Sequence, residues 1–438
     1  MINNLSEKFT LLDGGMGTML QKIGIPPGTC PEVLNMESPE IIEDIHAQYI
    51  EAGSQIIYTN TFGANGYKLS ATGFSPKEII DAAVKTARRA IGKRDVQVAL
   101  DVGPIGALLQ PNGCLSFDEA YHLFREQVLA GKNAGVDLII IETMTDLLEA
   151  KAAVLAAKEH TDLPVFITMS YEENGRTFVG CDPASMAITF EGLGVTALGL
   201  NCSMGPRDLI PILDKVLRHT NLPLIVKANA GLPNLDSSGY DLSAVDYAQQ
   251  LIPMADRGVT IFGGCCGTSP EYIKEVAAML KARKPVSREK LSFSAVCSAG
   301  NSVIINRPSI IGEGINPTGK KALQQALLDN NMDYILNQGI CQTESGAKIL
   351  DVNVGFPGID EVTMMRTVVS RLQSVVDTPL QIDSTDPKTL EAGLRIVAGK
   401  PLINSVNGKE QSLQSILPLA KKYGAAVVGL CLDENGIP

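Results

Sequence analysis

The sequence predicts an α/β chain: an N-terminal (β/α)8 TIM barrel followed by an incomplete second (β/α) barrel of about five strands. Three observations point there. Eight short apolar runs alternate with helical stretches between residues 9 and 281. A charged, proline-containing break follows over 282–308. A second strand–helix series then runs to residue 438. A doubly wound open sheet would also alternate strands and helices, but a count that closes at eight favours the barrel. The expected domains are 1–285, a linker at 286–308, and 309–438.

Each barrel strand is a short, β-rich run ending in small or polar residues. The runs are Phe9–Leu12, Gln55–Tyr58, Val96–Leu100, Leu138–Ile141, Val165–Thr168, Ala197–Leu200, Leu224–Val226 and Thr260–Phe262. Helical patterns fall near 39–52, 76–91, 117–134, 146–158, 183–191, 206–218, 243–256 and 270–281. A serine-rich stretch, Ser292–Asn306, reads as a small hairpin or strand pair. The second series has strands at Ile310–Gly312, Ile349–Val352, Leu380–Ile382, Leu402–Ile403 and Ala426–Leu430.

Composition narrows the function. Hydrophobic content of 45% and charged content of 19% suit a globular enzyme with a large core. A net charge of −11 without any basic run argues against a nucleic-acid partner. No window reaches the apolar length of a membrane span, and the N-terminus lacks the order of a signal peptide. The expectation is a cytoplasmic protein whose nine cysteines are unpaired, so that clustered ones serve a metal or catalysis.

Barrel chemistry sits at the C-terminal strand ends. Carboxylates occur at the first, third and fourth ends, as Asp13, Asp101 and Glu142. Thiols occur at the sixth and eighth, in Asn201-Cys-Ser203 and Gly263-Gly-Cys-Cys-Gly267. The four histidines, His46, His122, His160 and His219, fall in or just after helices and are expected at the surface or at helix ends. Cys202 and Cys265 are 265 − 202 = 63 residues apart, about two strand–helix units, so both belong to one barrel mouth. Cys202, Cys265 and Cys266 would give zinc three sulfur ligands and leave a fourth position open. A thiol entering that position is deprotonated by the metal. A free thiol of pKa about 8.5 is only slightly ionised at neutral pH. Water activation is the competing task, but such sites more often use histidine and carboxylate ligands.

The motifs Asp13-Gly-Gly-Met-Gly-Thr18, Gly199-Leu-Asn-Cys-Ser203 and Gly263-Gly-Cys-Cys-Gly267 resemble the homocysteine S-methyltransferase family over about residues 1–285. The resemblance implies Zn2+ on Cys202, Cys265 and Cys266. It also implies contacts to the amino-acid end of homocysteine from Asp13, Thr61 and Glu142. Asn229 ends the strand between the two thiol-bearing strands, and is expected to fill the open metal position when substrate is absent.

The second series carries Asp351-Val-Asn353, Ile382-Asp-Ser384 and Ile403-Asn-Ser405 at its strand ends. These resemble the pterin-binding family, which implies pterin contacts from Asp351, Asp383 and Asn404, supported by Asn316 and Asn353. A pterin ring presents a donor edge that carboxylates and carboxamides accept. The family has eight strands where this series reaches Pro438 after about five. The rest is expected on a continuation of the chain or on another polypeptide.

The two resemblances in this order are similar to the N-terminal half of the cobalamin-dependent methionine synthase family. That implies a methyl group drawn from methyltetrahydrofolate, carried by cobalamin and delivered to homocysteine. No Asp-x-His-x-x-Gly corrinoid motif is present, so cobalamin is expected on another domain or protein. The alternatives are a cobalamin-independent transferase using betaine or S-methylmethionine, and a non-catalytic module that docks a corrinoid protein.

Overall fold

The computed structural model describes residues 4–26, 28–233 and 239–437. By compactness the chain divides into two units. The first comprises 1–109, 114–179 and 195–290, and the second 110–113, 180–194 and 291–438.

The first unit contains eight parallel strands. They are β1 (Thr10–Leu11), β2 (Ile56–Tyr58), β3 (Gln97–Val102), β4 (Leu138–Met144), β5 (Val165–Met169), β6 (Ala197–Asn201), β7 (Leu224–Ala228) and β8 (Ile261–Gly264). Neighbours in sequence are neighbours in the sheet, and β1 pairs with β8. Across the remaining seam the Gln55 N–H donates to Leu11 O at 2.7 Å, so the barrel is nearly closed.

Side chains of a strand alternate between faces. The inward set here is apolar at the bottom of the barrel: Leu12, Ile56, Tyr58, Ala99, Leu138, Ile140, Phe166, Ala197, Ile225 and Ile261 form one buried cluster. Two residues further along, the same face carries Asp101 on β3, Glu142 on β4, Thr168 on β5 and Lys227 on β7, all buried. The barrel therefore has an apolar floor and a polar upper layer. β3 and β4 run further than the sequence suggested, through Val102 and Met144. The β3 ladder runs past Asp101 to Val102, and β4 pairs on both sides of Glu142, across a register shift between Ile141 and Met144, which places both carboxyl groups on strands rather than on loops.

The helices start where local chemistry starts them. Ser75 and Ser116 form capping boxes with Glu78 and Glu119, each satisfying backbone N–H groups at a helix N-terminus. Two helices, Pro76–Ile91 and Phe117–Ala134, begin there.

In the second unit, β9 (Ala295–Cys297) and β10 (Ser302–Ile304) form the expected antiparallel pair. Then come β11 (Ile311–Ile315), β12 (Ile349–Val352), β13 (Leu380–Asp383), β14 (Leu402–Asn407) and β15 (Ala426–Leu430), parallel and in chain order. None of the nine cysteines is in a disulfide. Among the described residues no helix is long and apolar enough to cross a membrane.

One histidine departs from expectation. His46 lies within helix Pro39–Ala52 and is fully buried rather than superficial. The helix also buries Ile42, Ile45, Tyr49 and Ile50, and His46 falls on that face. Neither ring nitrogen has a hydrogen-bond partner among the described residues. Burial alone pushes the imidazole down from 6.5 to about 4. Between those values the unfolded chain binds a proton that the folded chain refuses, so stability is lost as pH falls from 6.5 toward 4. The loss from this group approaches about 3 kcal/mol. His46→Leu should flatten the fall of the thermal midpoint across this window, measured by circular dichroism. Parallel pH profiles for the two proteins would refute the assignment.

Candidate metal centre and substrate cavity

The three cysteines predicted as ligands converge. The sulfur atoms of Cys202, Cys265 and Cys266 all lie within 4.8 Å of one another, and those of Cys202 and Cys266 are 3.7 Å apart. Tetrahedral geometry at a metal–sulfur distance near 2.3 Å sets sulfurs about 3.8 Å apart. The donor set therefore fits zinc, and no other such group occurs among the described residues.

Backbone pairing holds the thiols in place. The Cys202 N–H donates to Lys227 O at 3.0 Å, and the Cys265 N–H to Ala228 O at 2.9 Å. Asn229 Oδ1 accepts from the Cys266 N–H at 3.1 Å. The carboxamide expected at the open metal position is thus engaged in fixing the Cys266 peptide. Thr268 Oγ1 donates to Cys265 O at 2.7 Å and accepts from Gly15 N–H at 3.1 Å. Thr18 Oγ1 accepts from Gly267 N–H at 2.9 Å, so the first-strand motif braces the thiol loop. A side chain at Gly264 would collide with Thr268, and Gly267 has φ of 82°.

Three non-glycine residues at this rim are left-handed: Cys202 and Ser203 at φ 62° and Thr143 at φ 60°. Such conformations cost about 1–3 kcal/mol each and persist where surroundings impose them. Asn201 is the brace. It is fully buried; Oδ1 accepts from Thr143 N–H at 2.9 Å and Thr168 Oγ1 at 2.7 Å. Its Nδ2 donates to Thr143 Oγ1 at 2.7 Å and lies 3.8 Å from Cys265 Sγ.

Without a cation the thiols hold their protons. The Cys265 contact favours a Cys202 thiolate, but the Cys266 contact and burial outweigh it and push Cys202 up to about 11. The contact with Cys202 pushes Cys265 well above the ordinary thiol range. Cys266 is favoured as thiolate by Cys202, but Cys265 and burial leave it up at about 12.

Beside the thiols lies a cavity of about 310 Å3. Its walls include Asp13, Glu32, Tyr58, Asp101, Glu142 and Lys227. Lys227 was not anticipated. Its Nζ sits 3.0 Å from Glu142 Oε2, 3.8 Å from Asp13 Oδ1 and 3.5 Å from the Tyr58 ring centroid. Burial works against the ammonium, but Glu142, Tyr58 and Asp13 outweigh it and hold Lys227 well above its ordinary value. The signal was a single lysine in the apolar run Leu222–Ala228, two residues after the inward-facing Ile225.

Asp13 accepts the Tyr58 N–H at 2.7 Å through Oδ2. Burial pushes its carboxyl up to about 7 against the pull of Lys227. Burial and then Glu142 push Asp101 well above the carboxylate range. Thr61 does not line the cavity, although Thr59 does. Thr61 is fully buried, and its hydroxyl donates to Asp101 O at 2.7 Å. In this structure it is held against a cavity residue.

In the second unit the predicted polar residues gather at the strand ends. Asp351 on β12 lies opposite Gln381 on β13, and Asp383 on β13 opposite Asn404 on β14. Asp351 Oδ1 accepts from Gln381 Nε2 and, at 3.4 Å, from Asn404 Nδ2. Asn353 Nδ2 donates to Asp383 Oδ2 at 2.9 Å, and Asn316 Nδ2 to Glu313 Oε1 at 3.0 Å. Gln381 and Glu313 had been assigned no role. Burial pushes Asp351 up to about 6 and raises Asp383. Asp351 Oδ2 has no partner among the described residues, which leaves an acceptor for a ligand.

Asn201→Ala removes the brace and leaves buried donors unpaired, which should cost about 2 kcal/mol or more of stability. It should also weaken zinc binding roughly 10- to 100-fold, as loss of an outer-shell partner does. Competition with a chromophoric chelator measures the affinity; unchanged affinity would separate Asn201 from the metal centre.

The homocysteine S-methyltransferase family model matches residues 10–280, and the pterin binding enzyme model residues 312–436. Methionine synthase of Mycobacterium tuberculosis is 33% identical over 465 residues, and that of Mycobacterium leprae 32% over 470. Each comparison takes in 100% of this chain and 39% of the relative, so the chain spans about two fifths of the length of these proteins. Among solved structures, the oxidized form of the homocysteine methyltransferase MmuM from Escherichia coli matches with a TM-score of 0.55 and 25% identity, over 62% of this chain and 95% of that one. Its metallated form matches with a TM-score of 0.54, 25% identity and 62% and 96% coverage. The pterin binding enzyme model matches the region after the barrel, and the chain belongs to the homocysteine S-methyltransferase family.

Proposed function

We propose that the first barrel, within residues 1–285, methylates the thiol of homocysteine to give methionine. In this reading the methyl group comes from methyltetrahydrofolate, bound by the region from residue 309, and travels on a cobalamin held by another domain or protein. The observation that carries the reading is the meeting of three thiols and a buried carboxylate–lysine cluster around one cavity.

Zinc on Cys202, Cys265 and Cys266 would supply the charge that keeps an entering thiol ionised at neutral pH. The chain's own residues do the rest. Asp13 and Glu142 face the cavity and hold the cationic end of the amino acid, with the Lys227 ammonium between them. Asn229 and Thr268 keep the thiol loop aligned toward the same space. The sulfur lone pair forms the new S–C bond, and the donor leaves with the electron pair of the bond it loses. In the second region Asp351, Asp383 and Asn404 face the pterin, with Asn316 and Asn353 fixing their neighbours.

Free methylcobalamin tests the first barrel. Homocysteine-dependent demethylation, followed by absorbance and abolished by a chelator, is the expected result. No demethylation by protein shown to contain zinc would shift the reading to a betaine or sulfonium donor. Asp383→Asn should weaken methyltetrahydrofolate binding roughly 10- to 100-fold, the range for a lost charged hydrogen bond, and leave homocysteine binding unchanged. Loss of homocysteine binding instead would mean the second region has been misread.

A further inference from the structure

The cavity gathers more acidic side chains than its one lysine can pair with. Four carboxylates line it, Asp13, Glu32, Asp101 and Glu142, against the single buried ammonium of Lys227. The partners already in place show where a ligand fits. Glu32 accepts from Gly63 N–H and, at 3.0 Å, from the Cys30 thiol. Glu142 Oε2 is held by Lys227 at 3.0 Å. Two buried oxygens are left over. Asp13 Oδ1 and Asp101 Oδ1 have no hydrogen-bond partner among the described residues, and their residues are only 3% and 7% exposed. Lys227 reaches Asp13 Oδ1 only at 3.8 Å, beyond hydrogen-bond range.

Asp101 is also built to stay where it is. Its N–H donates to Thr59 Oγ1 at 3.2 Å and its carbonyl accepts from Thr61 Oγ1 at 2.7 Å. The two threonines hydrogen-bond each other at 2.7 Å. The Asp101 side chain occupies the inward position two residues beyond Ala99, above the apolar floor. A buried, rigid, unpartnered carboxylate in a cavity is configured for a ligand that brings both a positive charge and N–H donors. An alkylammonium brings three such donors.

We infer that Asp101, together with Asp13, receives the α-ammonium group of the amino-acid thiol and makes the site selective for it over thiols lacking that group. The inference rests on the proposed homocysteine reading and adds a residue to it. Glu142, with one oxygen on Lys227, then completes the surroundings of the ammonium and is not its sole anchor.

Calorimetric binding of homocysteine and of 4-mercaptobutanoate, its analogue without the amino group, to the zinc-loaded full chain tests this. The wild type should favour homocysteine. Asp101→Asn, nearly isosteric, should weaken homocysteine binding roughly 10- to 100-fold and leave 4-mercaptobutanoate unchanged, so that the preference collapses. Asp101→Glu should restore part of the preference, which a general perturbation of the fold would not allow. Full preference retained in Asp101→Asn overturns the inference and leaves the functional reading intact. A wild type with equal affinity for the two thiols also overturns it. A folded wild type that binds neither thiol overturns the functional reading and this inference together.

Discussion

The two-residue pleat of the barrel strands is the constraint on which the rest depends. Inward positions alternate strictly, so whatever follows the apolar floor by two residues enters the upper layer. Ala99 leads to Asp101, Ile140 to Glu142, Phe166 to Thr168 and Ile225 to Lys227. The site is thus the top layer of the core, with polar residues substituted where the barrel opens. The same ladders that bury the floor fix the carboxylates, which is why the cavity can keep charged groups so deeply buried. Lys227 stays charged there because Glu142 and Asp13 face it from neighbouring parts of the rim.

The thiol centre relies on a different balance. Cys202, Ser203 and Thr143 hold backbone conformations that ordinary residues avoid. Asn201 hydrogen bonds hold Thr143, while the Cys202 N–H bond to Lys227 O and the Ser203–Ser170 hydroxyl contact hold the other two. The thiols themselves resist ionisation in this setting, so a metal ion that binds here must displace their protons.

Much of the architecture was legible because barrel strands are continuous apolar runs, and eight of them close a ring. The cysteines were legible because their spacing and glycine frame place three thiols at one mouth. Asp13 and Glu142 were legible as strand-end carboxylates. Lys227 was missed because a lysine in an apolar run reads as a strand end, when the pleat from Ile225 in fact aims it inward. His46 was misread because helix position alone does not say which face is buried. Thr61 and Asn229 read from the sequence as ligand contacts, and in the structure their side chains have backbone partners. Sequence shows that a polar residue sits at a rim; only coordinates show whether its hydrogen bonds are already satisfied.

Asn201 joins two parts of the rim that serve separate tasks. One carboxamide grips Thr143, next to Glu142, while its nitrogen lies beside the sulfur of Cys265. The strand end carrying Glu142 and the loop carrying Cys265 are consequently one mechanical piece. Exchanging the β4 loop for one with another preference would disturb the sulfur cluster as well. In the proposed function selectivity and thiol activation form a linked pair, and a redesign of the pocket must carry the asparagine and its two threonines along.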